Sequence, residues 1–66
     1  MKIILNGEAS DISEGISIHS LLEEKALNPE TVVVEMDGKI IPLAQLKDTY
    51  LYEDVKLEVL RFVGGG

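Results

Sequence analysis

Val55-Lys56-Leu57-Glu58-Val59-Leu60-Arg61-Phe62-Val63 runs directly into Gly64-Gly65-Gly66. The first nine residues alternate in the manner of a strand. Leu57 and Val59 share the inward face, so Leu60 and Phe62 point outward by the two-residue period. Three residues without side chains follow the strand, and no helix follows them. The glycine run is therefore neither a P-loop nor a dinucleotide fingerprint. Which fold this strand completes depends on the elements that precede it.

Working back through the chain, Lys2–Asn6 is rich in β-formers, and Asn6-Gly7 suits the two positive-φ positions of a type I′ turn. Glu8–Ile12 reads as the returning strand of an N-terminal hairpin. Ser17 is placed to cap a helix by accepting from an amide two or three residues on. Ile16 and Leu21 have the spacing of a hydrophobic staple. Ile18, Leu21, Leu22 and Lys25/Ala26 recur at helical spacing, with Glu23 and Glu24 toward solvent. Asn28-Pro29 is expected to stop the helix, because a residue before proline avoids the α region. Thr31–Met36 is the strongest strand, a nearly continuous β-branched run expected to be buried on most sides. Asp37-Gly38 is a second turn, and Lys39–Ile41 returns as far as Pro42. Leu43–Lys47 reads as a short helical turn, Thr49–Leu51 as a short edge segment, and Glu53-Asp54 as a turn into the final strand.

The order is hairpin, helix, strand pair, short turn, final strand. One helix against one mixed sheet is an α+β layer arrangement. In its β-grasp (ubiquitin-like) form, the first and last strands lie parallel and adjacent at the sheet centre, and the helix is the crossover beneath them. The expectation is a four- to five-stranded mixed sheet with one main helix. Residues 1–63 form the domain, and residues 64–66 form a flexible glycine tail.

Composition agrees with one small domain. A chain of 66 residues supports a single core and no deep cleft. Its hydrophobic content of 45%, mostly Ile, Leu and Val, is high enough to fold. There is no cysteine, which excludes disulfides, thiolate metal sites and a cysteine nucleophile. Twelve acidic residues against six basic ones give a formal charge of −6, which disfavours nucleic acid and favours partners with basic or mixed faces. The opening apolar run, Ile3–Leu5, is too short for a signal peptide or membrane span. A cytoplasmic protein that is monomeric when free is expected.

Conventional catalysis finds little here. His19, the single histidine, falls near the exposed start of the helix, and Glu23-Glu24 and Glu53-Asp54 read as a solvated face and a turn. No residues have metal-ligand spacing. The tail is different. Glycine lets backbone pass a narrow channel and adopt angles closed to other residues. A chain without cysteine that carried sulfur covalently would have to carry it on a terminal thiocarboxylate. Leu60 and Phe62, exposed beside such a terminus, would suit a partner-binding patch.

The chain resembles the sulfur carriers of thiamine biosynthesis, the ThiS family, within the ubiquitin-like group that includes the molybdopterin synthase small subunit. The resemblance covers essentially the whole chain. It is carried by Met1–Gly7, Ser17–Leu22, Val32–Glu35 with Asp37-Gly38 and Ile40-Ile41-Pro42, and Val55–Val59 leading into Phe62-Val63-Gly64-Gly65-Gly66. It implies a protein co-substrate, not an enzyme, with no cofactor bound intrinsically. An E1-like adenylyltransferase would activate the Gly66 carboxylate with ATP and magnesium, Gly65 preceding it in the reactive end. A sulfur donor fed by a cysteine desulfurase would convert it to a thiocarboxylate. Thiazole synthase would then receive the sulfur, while Leu60, Phe62, Val63 and Gly64 face the partners. The alternatives within the same superfamily are a molybdopterin synthase sulfur-carrier subunit and a ubiquitin-like protein modifier.

Overall fold

Two tight turns and one capped helix set the local geometry from which the sheet is assembled. The structure, a computed structural model, describes residues 1–62. The expected last residue of the strand, Val63, and the tail Gly64–Gly66 lie outside the described residues. The elements are β1 (Lys2–Leu5), β2 (Glu8–Asp11), α1 (Ile18–Glu24), β3 (Val32–Met36), β4 (Lys39–Ile41) and β5 (Lys56–Arg61), with short 3-10 turns at Pro29–Thr31 and Leu43–Gln45. Both hairpins close as expected. Asn6 and Gly7 have φ of 49° and 83°, and Asp37 and Gly38 have φ of 49° and 85°. Two successive positive φ values give the turn twist that matches the twist of the flanking strands.

The strands form one sheet in the order β2-β1-β5-β3-β4. β1 and β5 pair in parallel, Ile4 with Lys56 and Leu5 with Leu57, and the remaining pairs are antiparallel. This is the β-grasp layout, with five strands. α1 supplies Ile18, Leu21 and Leu22 to the core, the sheet supplies Ile3, Val34 and Leu57, and the connecting segments supply Leu46 and Val55. Each such side chain fully withdrawn from water contributes about 1.5–3 kcal/mol. Tyr50 forms a lone antiparallel bridge to Ser17, the form taken by the expected edge segment.

Ser17 caps α1 as its sequence position suggests, its hydroxyl accepting from the Ser20 amide at 3.1 Å. The other end of the helix departs from expectation. α1 stops at Glu24, well before Asn28-Pro29. The Ala26 amide donates to the Glu23 carbonyl at 3.0 Å and the Leu27 amide to the Leu22 carbonyl at 2.9 Å, the Schellman pattern, with Ala26 at φ 58°. Lys25 and Ala26 are exposed, so the apolar face of α1 does not extend to them. Leu27 packs against the core instead. Asn28 begins a new turn, its Oδ1 accepting from the Glu30 amide at 2.9 Å.

β3 starts at Val32, one residue later than expected, and is not buried on most sides. Val32 and Val34 face the core, while Val33 and Glu35 are half-buried on the opposite face. The physical reason is that the single helix covers only one face of the sheet. β5 is likewise shorter than Val55–Val63; Val55 is buried ahead of it, and Phe62 follows it, donating its amide to Thr31.

The β3–β4 turn is tied to the start of β5. The Asp37 amide donates to the Lys56 carbonyl at 2.8 Å, and its Oδ1 accepts from the Lys56 amide at 3.1 Å. Its Oδ2 accepts from the Tyr52 hydroxyl. The tyrosine donation, aided by the Lys56 amide, holds the Asp37 carboxyl below its ordinary range, and the same bond raises the Tyr52 phenol. Because the Asp37 value is depressed on folding, its stabilising contribution is present above the unfolded value of about 3.9 and is lost as pH falls through the folded one. The Tyr52 contribution runs the other way. It is present below about 10 and lost as pH rises through the raised value.

Two outcomes test these features. Ala26→Gly should stabilise the protein by about 0.5–1 kcal/mol, read as a higher urea midpoint, since glycine removes the left-handed strain but adds freedom to the unfolded chain. A lower midpoint would show that Ala26 is not held at positive φ. Tyr52→Phe should raise the Asp37 carboxyl titration followed by carbon NMR; an unmoved titration would mean that the Tyr52–Asp37 bond does not form in solution.

Candidate functional site

The face of the sheet away from α1 is open, and alternation along β5 decides what it displays. Leu57 and Val59 turn toward the helix, so Lys56, Glu58 and Leu60 emerge on the open side, and Phe62 continues that row. Leu60 is 55% exposed and Phe62 48% exposed. The β3–β5 register sets Val33 directly opposite Leu60 and Glu35 directly opposite Glu58. β4 then places Ile40, 66% exposed, opposite Glu35. The result is an apolar strip of Val33, Leu60 and Phe62 at the end from which the chain leaves the sheet. Beside it lies a shallow depression lined by Glu35, Asp37, Gly38, Lys56 and Glu58.

Two hydrogen bonds position the strip. The Phe62 amide donates to the Thr31 carbonyl at 3.2 Å, holding the chain against β3 past the end of β5. On the other side the β1 backbone has already turned away at Asn6, and the Asn6 side chain takes over. Its Oδ1 accepts from the Val59 amide at 2.8 Å, adding a rung beyond the backbone bond from the Asn6 amide to the Leu57 carbonyl. Asn6 thus serves both as a turn residue and as a brace for β5.

Of the residues expected at the site, Leu60 and Phe62 are brought together on this face, whereas Val63, Gly64, Gly65 and Gly66 lie outside the described residues. Sequence reasoning missed Val33, Ile40, Glu35 and Glu58 as neighbours of Leu60, and missed the second role of Asn6. Alternation signalled the outward direction of Val33 and Glu58, but only the strand register brings them beside their partners. His19 sits a quarter exposed on α1, with Nδ1 3.4 Å from Glu23 Oε1 one helical turn along. It has the setting of a surface helix residue. Glu53 accepts from the Lys2 amide at 3.1 Å within its turn. Among the described residues no group of three or more His, Asp or Glu is placed to hold a metal ion, and no helix is long and apolar enough to cross a membrane. An open apolar strip bordered by carboxylates is suited to contact with a protein surface and offers no nucleophile–base pair.

Known proteins resemble this chain in sequence and in fold. The protein called ycf40 of Pyropia yezoensis is 39% identical over 66 residues, covering 100% of this chain and 93% of the relative. A thiazole synthase of Paramagnetospirillum magneticum is 32% identical over 66 residues; all of this chain is matched, but it spans only 20% of that protein. The crystal structure of the thiamine biosynthesis protein ThiS from Geobacter metallireducens superposes with a TM-score of 0.86 at 29% identity, and 100% of each chain is covered. The ThiS family model matches residues 3–66, which includes the sheet, the helix and the glycine ending. By sequence and by its ubiquitin-like β-grasp fold, the chain belongs to the ThiS family.

Proposed function

We propose that this protein is a sulfur carrier of thiamine biosynthesis whose working group is the Gly66 carboxylate. The observation that carries the proposal is the exit of the chain from a central strand of the sheet, past exposed Leu60 and Phe62, into Val63-Gly64-Gly65-Gly66. Membership of the ThiS family supports it. The domain presents the terminal glycines, residues 64–66, to other proteins and does no chemistry itself.

In the first step an E1-like adenylyltransferase binds the open face and takes the tail into its nucleotide site. A Gly66 carboxylate oxygen attacks the α-phosphorus of ATP, and magnesium pyrophosphate leaves. A persulfide sulfur then displaces AMP, and thiol reduction of the resulting acyl disulfide leaves the thiocarboxylate. ATP and magnesium belong to the partner's site. Ordering each tail residue costs about 1–2 kcal/mol, so contacts of Leu60 and Phe62 must offset the cost of threading. Glycine at positions 64–66 keeps the tail narrow enough to enter. Thiazole synthase is the proposed acceptor, because a region similar to this whole chain forms a fifth of the Paramagnetospirillum thiazole synthase.

Incubation with ATP, a persulfide source and the cognate adenylating enzyme should exchange oxygen for sulfur in the C-terminal peptide, detected by intact mass. Branched adducts on lysines of other proteins would instead identify a modifier, and stable co-purification with a pterin synthase subunit would identify the molybdopterin branch. Phe62→Asp should leave the fold intact, because the side chain is half exposed, and slow adenylation at limiting enzyme by about tenfold or more. Undiminished adenylation would remove Phe62 from the docking surface.

A further inference from the structure

The open face carries a feature that folding alone does not explain. Glu35 and Glu58 stand directly opposite one another on adjacent strands. Directly opposed side chains of a sheet are about 4.5–5.5 Å apart at their Cβ atoms, and like charges in that arrangement are destabilising. Neither carboxylate accepts a hydrogen bond or forms an ion pair with another side chain among the described residues. Lys56 lines the same depression two residues along β5 but is not paired with either. Two residue pairs further along, and next on the same face, lie Val33 and Leu60, at the start of the apolar strip.

We propose that the Glu35–Glu58 pair receives a basic side chain, best an arginine, of the adenylating enzyme, inserted between the two carboxylates as the apolar strip is covered. This rests on the reading of the chain as a carrier charged by such an enzyme. A guanidinium has five donors in a planar fork and can bridge two carboxylates, which the single ammonium of lysine does less well. A cation seated between the two carboxylates supplies an opposite charge that no side chain among the described residues provides, so the pair favours the complex over the free state. Covering Leu60 and Val33 also withdraws water from the ion pair, which strengthens it. The strand repeat fixes the spacing of the partner's groups. An apolar group seated on Leu60 and a cation seated at Glu58 stand about 7 Å apart, two residues along one strand. A second copy of this chain would bring the same acidic pair to the same place, and nucleic acid or an anionic membrane would be repelled by it.

The test is a binding titration of the full chain against the cognate adenylating enzyme at low and at high salt. The wild type is compared with Glu35→Gln/Glu58→Gln and with Glu14→Gln/Glu24→Gln, a control that removes the same charge from exposed positions away from this face. The Glu35/Glu58 variant should bind about tenfold more weakly at low salt, with a smaller loss at high salt, and should melt no lower than wild type. The control should bind as wild type does. Unchanged affinity of the Glu35/Glu58 variant, or an equal loss in the control, would overturn the proposal in favour of general charge steering or an unused pair. Wild-type chain that binds but gains no sulfur would defeat the carrier reading and leave this docking contact standing. Wild-type chain that does not bind at all would overturn both.

Discussion

Parallel pairing of β1 with β5 is the constraint on which the rest of the molecule depends. These strands come from opposite ends of the chain, and residues from the two ends become neighbours as Leu5 meets Leu57. A parallel pair cannot be joined by a tight turn, so a crossover must cover the distance, and α1 lies in that connection. The helix covers Ile3 and Leu57, the most deeply buried residues of the two strands. Loss of this pairing would separate the N-terminal hairpin from the β3–β4 hairpin, because each is attached to the sheet only through β1 or β5.

The same strand that closes the core also displays the open face. Along β5, Leu57 and Val59 pack inward while Glu58 and Leu60 face away, so the core and the open face share one segment without sharing residues. A slip of one residue in register would exchange the two sets. Asp37 and Asn6 guard against it at the start and the middle of the strand. The Asp37 carboxylate holds the Lys56 amide, and the Asn6 side chain holds the Val59 amide. Both are hairpin turn residues, and both side chains bond to a strand that their own hairpin turn does not include.

In the proposed function the open face lets a small protein meet partners without a deep pocket. With a single helix, only one side of a five-stranded sheet can be covered, and the exposed side retains Val33, Ile40, Leu60 and Phe62. The carboxylates of Glu35 and Glu58 border this surface. In the proposed function chemistry is left to the partner, and this chain contributes shape, charge and a backbone end.

Much of this was determined by the sequence alone, wherever the physical cause is local. Asn6-Gly7 and Asp37-Gly38 specify their turns through two positive φ angles, Ser17 specifies its cap through one hydroxyl, and β5 shows its two faces through alternation. The glycine ending and the lack of cysteine are local features as well, and the proposed terminal chemistry rests on them. The tertiary structure decided what depends on neighbours distant in the chain. The helix ends at Glu24 because Leu27 finds a place against the core, a contact that outweighs the local strain at Ala26 and makes Asn28-Pro29 the start of another turn. β3 is open on one face because nothing covers it, although its β-branched run suits burial on both. Glu35 meets Glu58, and Asn6 meets Val59, only through the strand register. That register is set by the packing of the whole sheet against α1, and no short stretch of sequence contains it.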